Sequence, residues 1–164
     1  MEPITEPEIR RSFVNCSKGE AQRLKVPAGL DELPWADLDF LGWRDPGAPE
    51  RAYLVAEHDD RLVGVVLRAA AAGARGFTAR SLCSLCLTTR TGGGVVLMSA
   101  RRAVAAGRSG NTVGQYLCAD LACSAYVRGR KQSVGGPVDE SLSREEKITR
   151  VRSHVAAFLG AVIG

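Results

Sequence analysis

Residues 110–130 read GNTVGQYLCADLACSAYVRGR, and residues 83–86 read CSLC. Together they set four cysteines in two short-range pairs. Cys83 and Cys86 form a CxxC turn, Cys118 and Cys123 a CxxxxC, and 31 residues lie between Cys86 and Cys118. A single chain can supply four thiolates to one tetrahedral metal site in this way, each pair closing a turn while the intervening segment folds back as a hairpin. In a CxxC turn the two sulfurs converge and backbone N–H groups point at them, which offsets the negative charge of a four-thiolate centre. If a helix runs from Asp120 through Ala125 and Val127, Cys118 precedes it and Cys123 falls in its first turns, with the positive helix end near the sulfurs.

The order of knuckle, hairpin and ligand-bearing helix is that of a treble-clef zinc finger. The predicted ligands are Cys83, Cys86, Cys118 and Cys123, and the predicted cofactor is one structural Zn²⁺. Four cysteines leave no coordination position open for hydrolysis, so the metal folds the module. A redox reading would need a CxxC that opens a helix inside a βαβ unit, whereas Gly92-Gly93-Gly94 turns follow this one.

The chain of 164 residues is 45% hydrophobic and 24% charged, a globular composition with enough length to enclose a core. No apolar run approaches the roughly 20 residues that span a bilayer, and MEPITEPEIRR at the start lacks the apolar stretch of a secretory signal. A cytoplasmic location is expected, with no membrane partner, and a reducing compartment favours cysteines as metal ligands. The fifth cysteine, Cys16, reads as a small buried hydrophobe beside Ile9 and Phe13.

Charge is unevenly spread. Residues 31–60 hold nine acids against Arg44 and Arg51, while residues 61–131 hold eleven basic residues against Asp120 alone. Such a block points to an acidic partner or nucleic acid.

The expected fold is α+β: a small antiparallel β-sheet domain with a treble-clef zinc finger, a short N-terminal helix and a C-terminal amphipathic helix. Thr5 and Glu8 fit a capping box, and a helix is predicted over residues 6–18. Residues 27–49 read as an ordered loop pinned by Trp35, Phe40, Leu41 and Trp43. RAYLVAE (51–57) and RLVGVVLR (61–68) flank His58-Asp59-Asp60 as a hairpin, which makes His58 and Asp59 turn residues. Strands are predicted at 77–82, 95–99 and 113–117. Ser143 and Glu146 form another capping box ahead of a helix whose stripe is Ile148, Val151, Val155, Phe158 and Val162. Residues 69–74 and 133–137 read as links. The expected division is a helical segment at 1–26, an α/β domain at 27–131 whose zinc finger occupies 77–131, and a linker with the C-terminal helix at 132–164.

CSLC, the block from Gly110 to Arg130, LPWADLDFLGWRDP (33–46) and the RAYLVAE strand together resemble the FusB-type elongation factor G-binding proteins, the fusidic acid resistance family with a C-terminal treble-clef zinc domain. The resemblance covers roughly residues 30–131. It implies a non-enzymatic protein that binds elongation factor G and promotes its release from the ribosome. The family's resistance proteins carry an N-terminal helical bundle, and this chain has room for little more than one helix before Pro27.

Candidate partner contacts are Arg101, Arg102, Arg108, Tyr116, Arg128, Arg130 and Lys131, with Asn111 and Thr112 in the same block. The alternative function is a zinc module that binds ribosomal RNA or another nucleic acid through the same basic face. Phe77, Tyr116 and Tyr126 are the aromatic residues within 61–131, few for a base-stacking platform. An enzyme would need a converging nucleophile and base, which His58 in a turn and His154 on a helix do not suggest. No small-molecule substrate is expected.

Overall fold

A computed structural model describes residues 1–70, 80–103, 110–133 and 140–164. Along the chain these form helix α1 (Glu6–Ser12), helix α2 (Lys18–Arg23), single 3₁₀ turns at Leu30–Glu32 and Trp35–Asp37, and strands β1 (Leu41–Asp45), β2 (Ala48–His58) and β3 (Arg61–Ala69). Then come β4 (Ser81–Leu82), β5 (Thr89–Arg90), β6 (Val95–Arg101), β7 (Thr112–Cys118), α3 (Cys123–Val127) and α4 (Arg144–Ile163). The main sheet is antiparallel in the order β1-β2-β3-β6-β7, and β4 pairs with β5 in a small ribbon.

The β2–β3 hairpin closes on Asp59 and Asp60, both with positive φ (47° and 56°). That is the two-residue turn whose twist matches the strands it joins, and aspartate tolerates it better than most residues. His58, expected in the turn with Asp59, is instead the last residue of β2 and pairs with Arg61.

Alternation along β2 and β3 gives the sheet two covered faces. Ala52, Leu54, Ala56, Val63, Val65 and Leu67 face α4, whose Val151, Val155, Phe158 and Val162 are buried in the same cluster as the four paired cysteines. Each large side chain so buried contributes about 1.5–3 kcal/mol. The opposite face carries Tyr53 and Val55 and is covered by Ile9, Ala21, Leu24 and Trp35.

The N-terminal region departs from the single helix expected over 6–18. The chain leaves the helix at Phe13, which bridges to Gly64, and the Val14 N–H donates to the Gly64 carbonyl at 3.0 Å. Asn15 then behaves as a piece of strand: its Oδ1 accepts from the Val66 N–H at 2.8 Å and its Nδ2 donates to the Val66 carbonyl at 3.0 Å. Ser17 restarts the helix by capping with Glu20. Gly64 is required here, because a Cβ would lie 2.5 Å from Ser12 Oγ. Two short helices thus precede Pro27, and Cys16 sits half-buried between them, its thiol pushed up to about 11 by burial.

The expected loop over 27–49 also contains more order, since β1 pairs with β2 from Leu41↔Val55 to Arg44↔Ala52. Of the strand expected at 77–82, Ser81 and Leu82 are described; residues 77–79 and most of the two links lie outside the described residues. The C-terminal helix begins where the capping box places it, at Ser143 and Glu146.

Candidate metal centre

The first knuckle hangs from the β4–β5 ribbon. The Leu87 N–H closes the turn on the Cys83 carbonyl at 2.9 Å, and the Cys83 N–H donates to the Thr88 carbonyl at 3.1 Å. Leu87, directly after the second cysteine, takes a left-handed φ of 55°. The Ser84 N–H donates to the Tyr116 carbonyl at 2.7 Å, which pins this turn to β7. The second pair straddles the end of β7 and the start of α3. Between them the Leu121 N–H turns back to the Cys118 carbonyl at 2.9 Å, with Leu121 at φ 54°. That helix starts at Cys123 itself rather than at Asp120.

These two turns bring all four sulfurs within 4.8 Å of one another, with every residue buried. Cys83 Sγ lies 3.7 Å from Cys123 Sγ, and Cys86 Sγ 3.6 Å from Cys118 Sγ. A tetrahedron with zinc–sulfur bonds of about 2.3 Å has sulfur–sulfur edges of about 3.8 Å, whereas a disulfide needs about 2.05 Å. The pairs are therefore spaced for a shared metal. Hydrogen bonds from Cys118, Cys123 and Cys86 hold the Cys83 thiol well below its ordinary range, while Cys118, Cys83 and Cys86 push Cys123 well above it. Four thiolates cannot ionise together here without a cation, and a dication lets them. The donor set is that of a single structural zinc with no open position.

A shell of polar side chains that sequence spacing does not reveal fixes these turns. Asp120 accepts from Arg90 Nη1 at 3.0 Å, Tyr126 Oη at 2.7 Å and Lys131 Nζ at 2.8 Å, and Arg90 lies over the Tyr126 ring at 4.7 Å. The positive charge of Arg90 reaches the Cys118 sulfur. Gly94 makes room for it, since a Cβ there would come 2.6 Å from Arg90 Nε. From α4, His154 Nδ1 meets the Leu85 carbonyl at 3.0 Å inside the first knuckle, and Arg150 is anchored by Glu140.

The LPWADLDFLGW segment locks onto α3 and the loop before it. The Asp39 side chain is fully buried and accepts from Arg128 Nη1 at 2.5 Å, Arg128 Nη2 at 3.0 Å and Arg152 Nε at 2.9 Å. Ser124 Oγ accepts from the Asp39 N–H at 2.9 Å. Burial raises the Asp39 carboxyl, but the bonds from Arg128 and Arg152 more than offset this and hold it below the usual carboxylate range. Gly42 abuts the second turn, where a Cβ would lie 2.7 Å from Leu121 Cβ.

The expected partner contacts therefore separate. Arg128 is committed inside the molecule, its side chain 8% exposed, and is not a surface contact; its basic charge is met by a carboxylate far away in sequence. Arg130 and Lys131 are exposed and bonded to Asp37 and Asp120. Tyr116 is 38% exposed on the outer face of β7. Asn111 and Thr112 are exposed at the start of that strand. Arg101 ends β6 and Arg102 follows it, and Arg108 is outside the described residues. Among the described residues, no helix is long and apolar enough to cross a membrane.

Residues 8–162 match the family model described as FBP C-terminal treble-clef zinc-finger. Among curated proteins, none matches the chain. Among solved structures, the "Structure of the fusidic acid resistance protein FusC" is similar, with a TM-score of 0.50 at 15% identity, over 89% of this chain and 53% of that one. At that identity the likeness concerns the fold, and the chain spans about half the length of FusC.

Proposed function

The chain belongs to the FBP C-terminal treble-clef zinc-finger family, and from that premise we propose that it is a non-enzymatic zinc protein that binds elongation factor G and promotes its release from the ribosome. The family match over residues 8–162 carries this reading. The FusC-like fold supports it, because FusC is a fusidic acid resistance protein. The zinc's part is to hold a surface in shape: a closed four-sulfur shell offers no site for substrate or water. Tyr116, Arg130 and Lys131, exposed around that module, are the proposed contacts with an acidic factor surface.

Calorimetry with purified elongation factor G tests this. Heat of binding is expected with the factor at about 10 μM. It should be lost in the zinc-loaded Tyr116→Ala/Arg130→Glu/Lys131→Glu variant. No heat from the wild type would overturn the reading.

A further inference from the structure

On the face of the sheet opposite α4, a groove runs between α2 and the ends of β3 and β6. Arg23, Arg51, Arg68, Arg101 and Arg102 line it. Register places three of them together: Arg51 is directly opposite Arg68, and Arg68 is directly opposite Ser99, two residues from Arg101 on the same face of β6. Like charges directly opposite in an antiparallel pair destabilise a sheet, so this row has no structural advantage. No carboxylate among the described residues forms an ion pair with Arg51, Arg68, Arg101 or Arg102. Of the two acids that share the groove, Glu20 accepts from Ser17 and also feels the charges of Arg101 and Arg51 without an ion-pair contact, and Asp45 accepts from Tyr53 Oη and the Gly47 N–H.

Of the groove's other polar groups, Asn15, Ser17 and Ser99 are bonded within the chain, and the exposed Thr112 is of a kind that contacts phosphates. Of its apolar members, Leu24, Tyr53 and Leu67 are buried and Val14, Cys16, Val66 and Ala103 are half-buried, while the exposed Leu97 and Tyr116 stand beside it on the same sheet face. Guanidinium groups in a row suit phosphate oxygens, which they grip two at a time. We infer that this groove binds the phosphate backbone of RNA.

Fluorescence anisotropy with a labelled 12-nucleotide oligouridylate and the zinc-loaded full chain tests the inference. With four arginine–phosphate contacts, the logarithm of affinity should fall against the logarithm of salt with a slope of about −2.8, so binding weakens roughly 50-fold between 50 and 200 mM. Arg51→Gln/Arg68→Gln/Arg101→Gln should bring the slope to about −0.7, with zinc content and circular dichroism unchanged. The single Arg68→Gln, which removes a like-charge pair, carries the same test should the triple variant lose its zinc. Its slope should flatten by about 0.7 with no fall in Tm. No binding of the RNA at about 100 μM protein, an unchanged slope in these variants, or tighter binding of hexaglutamate than of the oligouridylate would overturn it.

Discussion

Around the zinc centre, Arg90 rests on Asp120, Arg128 on Asp39 and Arg150 on Glu140. Across the sheet, Arg51 faces Arg68, and neither has a carboxylate bonded to it among the described residues. In the sequence, Arg68, Arg90, Arg101 and Arg128 belong to one basic block that reads as a single binding face. The fold divides them: arginines on the metal side are paired with carboxylates that hold turns in place, while Arg51, Arg68 and Arg101 form no ion pair among the described residues. Net charge along a sequence cannot make this distinction, because the acid that neutralises Arg128, Asp39, lies 89 residues away.

The largest effect should come from the metal side. Cys118→Ser, or chelation of the wild type, removes a metal whose binding supplies about 10–16 kcal/mol of apparent folding free energy in comparable small modules. Residues 80–130 should then lose protease protection and zinc should leave, as elemental analysis would show. Native protection in the mutant would break the comparison at its root.

Next is Asp39→Ala, which leaves the buried Arg128 guanidinium, among the described residues, with only the longer carboxylate contact to Asp37 at 3.8 Å and should cost about 3 kcal/mol in chemical denaturation. A loss under about 1 kcal/mol would mean that Arg128 escapes to solvent and belongs with the surface arginines after all. Gly42→Ala forces a methyl group against Leu121 and should cost about 1–3 kcal/mol. His154→Ala removes one bond to the first knuckle, with an expected loss of about 1 kcal/mol. At the small end, Arg68→Gln should leave stability unchanged or raise it by about 0.2–1 kcal/mol. A clear fall in Tm would show that this arginine is structural too.

What could be read from the sequence were features whose signal is local. The two cysteine pairs, the β2–β3 hairpin around Asp59-Asp60 and the Ser143–Glu146 cap each declare themselves within a few residues, and the fold places them as expected. The break between α1 and α2 is local as well: Ser17 with Glu20 is a capping box that a helix running through residue 18 overrides. What stops α1, however, is its contact with Gly64 and Val66, fifty residues away. Strand β1 was hidden because Leu41–Asp45 lies in a stretch rich in proline and aromatic residues, where pairing with β2 outweighs local propensity. Arg128 could not be identified as structural, since its partner Asp39 is 89 residues distant.

The claim on which the rest depends is that four sulfurs enclose one zinc. Zinc-edge X-ray absorption on the freshly purified full chain measures this directly. The account predicts one zinc per chain with four sulfur neighbours at about 2.3 Å and no nitrogen or oxygen in the first shell. Fewer sulfurs, a lighter atom in the shell, or a folded chain without zinc whose four thiols react freely would contradict it.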